Sequence, residues 1–134
     1  MEAEAAEKKK DKGSHHSDGR IGAVKIADDV VAMIAALAAL EAEGVPSLAG
    51  GVQSDNVEHI SRTKLSRCVK ATVSQGQVSV DIAVMLAYGF NIPVASGQVQ
   101  TRVKTAIENM TGLAVREVNV RIASVAMPET LARE

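Results

Sequence analysis

The chain has 134 residues, 46% of them apolar and 23% charged, which suits one globular domain around a single core and argues against intrinsic disorder. The 15 Lys and Arg against 16 Asp and Glu leave a net charge of −1, short of the basic balance expected of a dedicated duplex-binding protein. Tyr88 and Phe90 are its only aromatic residues, too few for a base-stacking platform, and the lone Cys68 rules out an internal disulfide framework and suits a reducing compartment.

Residues 1–20 read as a disordered charged tail of Glu, Ala and Lys followed by Gly, Ser and His, with almost no apolar face to bury. The tail also lacks the apolar stretch of a signal peptide. The domain is expected over residues 21–126. Ile21, Val24 and Ile26 suggest a short edge strand at its start. A helix follows over roughly Asp28 to Glu43, with Val30, Ile34, Leu37 and Glu41 at helical spacing, Val31 and Ala38 beside them, and a stop at Gly44 and Pro46. Its longest uncharged run, Val30 to Leu40, falls well short of the roughly 20 residues a membrane span requires. The sequence therefore predicts a cytoplasmic protein that reaches a membrane only through a partner. Ala32, Ala35, Ala36 and Ala39 form the helix's small-residue side. Ala32, Ala36 and Ala39 are candidates for close contact with another molecule.

Ser47 to Leu65 is the least regular stretch, with a short helix expected around Asp55 to Lys64. Val69, Ala71 and Val73 then alternate with polar residues, Gln75-Gly76 turns the chain, and Val78, Val80, Ile82, Val84 and Leu86 alternate over a long second strand. Ile92-Pro93 opens a second helix whose core stripe is Val99, Val103, Ala106, Ile107 and Met110, with Gly112 placed for a left-handed cap. Val118, Val120 and Ile122 mark a last strand, and residues 127–134 read as a frayed tail. The order is α-β-β-α-β. It implies a small α+β fold with two helices on one face of a three-stranded sheet, four-stranded if the Ile21–Ile26 segment joins.

Enzyme chemistry finds little support. Cys68 and His59 evoke a thiol nucleophile and its base, but nothing supplies an oxyanion hole. His15, His16 and His59 lack the fixed geometry of a metal site, since two lie in the tail. The carboxylates are scattered, and Gly50-Gly51 lacks the Lys-Ser/Thr of a phosphate-binding loop. No catalytic, cofactor or metal residues are therefore assigned. His59, Arg62, Lys64, Arg67 and Lys70 form the one concentration of positive charge, which Arg102 and Lys104 could join in space. Arg62 to Lys70 suit nucleic-acid phosphates or anionic lipid headgroups, or simply a solvated loop diluted by Asp55 and Glu58.

An ordered set of short motifs runs through the same region. Ile26-Ala27-Asp28-Asp29-Val30-Val31 is followed by Ala42-Glu43-Gly44-Val45, then Val80-Asp81-Ile82 and Tyr88-Gly89-Phe90-Asn91-Ile92-Pro93. Val99-Gln100, Glu108-Asn109-Met110-Thr111-Gly112-Leu113, Val115 and Glu117-Val118-Asn119-Val120 complete it. From about Gly22 to Val125 the chain resembles the alkaline shock protein family, the envelope stress response family of Gram-positive bacteria. The resemblance implies a small cytoplasmic α+β protein without catalytic residues, abundant under envelope stress in some members. It further implies self-assembly into a homo-oligomer, and in some members attachment to a membrane-anchor protein. Two classes of function thus stand side by side: an envelope stress scaffold working through protein surfaces, and a phosphate binder using the Arg62–Lys70 patch.

Overall fold

Residues 21–128 are described by the computed structural model. The predicted tail of residues 1–20 and residues 129–134 lie outside them, while Met127 and Pro128 follow the last strand. The first helix, α1, spans Asp28–Leu40 and starts on two acids that favour the positive end of its dipole. Its inward side differs from the predicted stripe. Val30 and Leu37 are 50% and 39% exposed, whereas Val31, Ile34, Ala35 and Ala38 are buried together with Ala32, Ala36 and Ala39. The reason is packing distance: α1 lies against the sheet and a second long helix at once, and rows of alanine let backbones approach where Val and Leu would hold them apart.

The expected edge strand at Ile21–Ile26 does not form. Gly22 at φ +107 turns the segment, and Ile21 and Val24 lie exposed with no strand partner among the described residues. The fourth strand comes instead from β1, Ser47–Leu48, antiparallel to Val84–Met85. The helix expected around Asp55 to Lys64 is divided in two because Ile60 and Ser61 are extended. A 3₁₀ turn covers Val57–His59, and α2 covers Arg62–Ser66 with the Ser61 hydroxyl accepting the Lys64 N–H at 3.2 Å.

Strands β2 (Val69–Ser74) and β3 (Gln77–Ala87) make the predicted hairpin. Gln75 and Gly76 both have positive φ, the turn whose twist suits two flanking strands. β3 is the centre of the sheet: β1 and β2 share one side of it, and β4 (Ala114–Ala126) runs parallel along the other. A parallel neighbour needs a long crossover, and α3 (Ile92–Thr111) provides it. Asn91 accepts the Val94 N–H at 2.9 Å at its start, Pro93 sits in the first turn, and left-handed Gly112 ends it as predicted.

The buried row of α3 is Ala95, Val99, Val103 and Ile107, advancing by four. The next position in that row is Thr111, so Met110 is exposed rather than in the core stripe where the sequence placed it. Both long helices thus cover one face of the sheet, α1 over β2 and α3 over β4, meeting the inward residues of β2, β3 and β4 in a single core.

Where α1 gives way to β1, Gly44 adopts φ +89 and its carbonyl accepts the Ala87 N–H at 2.8 Å. A Cβ there would stand 2.8 Å from the Phe90 ring. Gly44→Ala is expected to lower the unfolding free energy by about 1–2 kcal/mol, seen as a lower urea midpoint at unchanged slope. An unshifted midpoint would show that neither the backbone angle nor the ring constrains this turn.

Candidate functional site

Cys68 is buried, and its Sγ donates to the Leu65 carbonyl at 3.3 Å. Burial pushes its thiol pKa up, so the reactive thiolate is disfavoured. His59 is exposed, His15 and His16 lie outside the described residues, and no group of three or more His, Cys, Asp or Glu among the described residues could hold a metal ion.

The basic patch is broken up by its neighbours. Arg62 pairs with Asp29 of α1 at 2.7 Å, and Lys70 stands opposite Asp81 in the β2–β3 ladder. Lys64 and Arg67 remain exposed on α2 and just beyond it. Lys104, which was to join them, pairs with Glu108 at 3.1 Å on α3 and lines a groove beside β4. The alanine candidates fare differently. Ala36 and Ala39 are 0% exposed and Ala32 is 7% exposed, so this side of α1 is closed by the domain's own core and offers no free surface.

The structure locates two further surfaces. The first is the outer edge of β4, a 13-residue strand that among the described residues pairs only on its β3 side. Two irregularities in the ladder leave Arg116 and Ala123 as extra residues, so the regular stretch runs from Glu117 to Ile122. Along the free side, α3 supplies hydrogen-bond partners. Gln100 Nε2 donates to the Val118 carbonyl at 3.0 Å, and Glu108 Oε2 accepts the Val115 N–H at 3.1 Å. That N–H, with Lys104 second, holds the Glu108 carboxyl below its ordinary pKa. Asn119, mid-strand among apolar residues, points to the open face of the sheet and donates to Asp81 Oδ1 at 2.9 Å. Gln100, Glu108 and Asn119 are all polar members of the motif set, and each ties β4 to its neighbour. Two polar residues on one helix, eight apart and flanking the core row, are the signal that could have revealed this.

The second surface lies at the end of the sheet where β3 and β4 finish. The Tyr88 N–H reaches the Ala126 carbonyl at 2.9 Å, and the Phe90 ring rests over Gly44. Tyr88, Phe90, Ile92 and Val94 are exposed there, as are Val125 and Met127 from the end of β4. These six exposed large apolar residues make this end of the sheet a candidate contact surface.

The sequence profile of the alkaline shock protein 23 family, described as having a cell envelope-related function, matches residues 16–127. The chain belongs to this family. It is 29% identical over 119 residues to the uncharacterized protein YqhY of Bacillus subtilis, covering 89% of this chain and 87% of that one. It is 32% identical over 108 residues to YloU of the same organism, covering 79% and 90%. The uncharacterized protein Spy1535 of Streptococcus pyogenes is 30% identical over 110 residues, covering 82% and 84%. No solved structure matches the chain. Family membership accounts for the motif set, and the structure shows what much of it does: Gly44, Asn91, Pro93 and Gly112 shape turns and helix ends, while Gln100 and Glu108 hold α3 to β4.

Proposed function

We propose that this protein is a non-enzymatic, cytoplasmic scaffold of the cell envelope, which assembles with further copies of itself and docks on a membrane-anchored protein. The observation that carries the reading is the exposed apolar end of the sheet, where Ile92 and Val94 stand outward in the first turn of α3 beside Tyr88 and Phe90. Family membership supplies the envelope connection. No helix among the described residues is long and apolar enough to cross a membrane, which suits attachment through a partner. Phosphate binding at Arg62 to Lys70 is the weaker reading, because Asp29 and Asp81 already stand beside two of the four charges.

The test is co-sedimentation with membranes of the native cell, comparing wild type with Ile92→Ser combined with Val94→Ser. The wild type is expected to pellet with native membranes and not with protein-free vesicles of the same lipids, and the double variant to stay in the supernatant. Equal binding to bare vesicles that is lost with added salt would instead favour the basic patch. A wild type that never pellets would overturn the partner.

A further inference from the structure

Resting on the self-assembly proposed above, we infer that two copies join by antiparallel pairing of β4 with β4 over Glu117–Arg121, with Asn119 on the two-fold axis. Among the described residues no strand pairs with the far side of β4, which is a strand edge of the kind that another strand can extend. Its two extra residues, Arg116 and Ala123, kink the strand at either end and confine regular pairing to the stretch between them. Within that stretch the side chains alternate. Glu117, Asn119 and Arg121 are exposed on the open face, while Val118 and Val120 face the helices, Val120 only half-buried.

Charge selects the register. Opposed residues in an antiparallel pair share a face, so a symmetric pairing must centre on a residue. Centred on Asn119, it sets Glu117 opposite Arg121 of the second copy and Arg121 opposite its Glu117. Asn119 then meets Asn119, and Val118 meets Val120. Both charges are matched twice, and the half-exposed Val120 gains an apolar neighbour. Moving the centre by one residue to Val120 sets Glu117 against Ala123 and Arg121 against Asn119, leaving every charge unmatched. The pattern Glu-Val-Asn-Val-Arg is therefore complementary to itself in one antiparallel register.

The backbone agrees with this register. The Val118 carbonyl accepts from Gln100 on the free side of β4, so the groups of Val118 and Val120 alternate outward. Val118 and Val120 of the second copy then exchange two hydrogen bonds, and symmetry gives two more. A carbonyl oxygen accepts two hydrogens, so Gln100 keeps its place. The net charge of −1 leaves little long-range repulsion between copies. A different partner strand would need no such symmetry, which is why the second copy is the favoured occupant.

The test uses the full chain in sedimentation at rising concentration and low salt. Glu117→Arg and Arg121→Glu are each expected to weaken self-association about tenfold, because both symmetric pairs become like-charged, and the combined reversal to restore it. Asn119→Cys is expected to give a disulfide-linked dimer under mild oxidation, with Cys68 buried and unreactive. Circular dichroism identical to wild type confirms that each variant folds. A dimer indifferent to the reversals, or an Asn119→Cys protein that stays uncrosslinked, overturns β4 pairing and leaves self-assembly through another surface standing. A wild type monomeric at every concentration overturns both.

Discussion

Val103→Asp is expected to unfold the domain or leave it only marginally folded, whereas Lys104→Asp, one residue along, keeps it folded. Val103 is 0% exposed in the middle of the four-residue row that seats α3 on the sheet. A carboxylate there has no cation beside it, and an unpaired buried charge costs about 3–5 kcal/mol, a large share of the roughly 5–15 kcal/mol that holds a domain together. Lys104 points to solvent and makes one ion pair with Glu108. Its replacement sets two acids four residues apart on one helix, a cost of about 0.5–1 kcal/mol. Urea midpoints measured side by side check the contrast. Equal shifts would mean that α3 is turned differently about its axis.

Ala36→Glu is the second large effect. The alanine row that α1 turns toward the sheet and α3 leaves no room for a longer side chain, and Ala36 is 0% exposed. The substitution adds volume and a charge to a closed contact, for an expected loss of about 3–5 kcal/mol. The measurement is the thermal midpoint with the oligomeric state recorded alongside. A variant that stays as stable as wild type while losing self-association would return the alanine row to the list of contact surfaces.

This second case shows where the sequence was opaque. Strand alternation over β2 and β3 and the Asn, Pro and Gly signals around α3 were readable because local chemistry decides them. The orientation of α1 was not. Both of its sides are apolar, so periodicity alone favours the bulky Val30–Leu37 stripe, and only the packing of a helix neighbour selects alanine instead. The same limit applied to β4. Its alternation identified a strand, but whether that strand pairs on one side or two is a property of topology, carried by no residue in it. Gln100 and Glu108 were visible as motif members, and their work became clear only once α3 lay along that edge.

The parallel placement of β4 also governs the order in which the domain comes together during synthesis. The β2–β3 hairpin needs only a two-residue turn and can close on the microsecond scale, long before the next strand exists. β4 meets β3 with Gln77 beside Ala114, across all of α3, so this contact waits until translation has passed residue 114. Until then β3, the most apolar strand and the later centre of the sheet, carries one bare side. A nascent chain paused within α3 would present that side to any neighbour able to lend a strand, which makes these codons the interval of greatest exposure to aggregation and to chaperones.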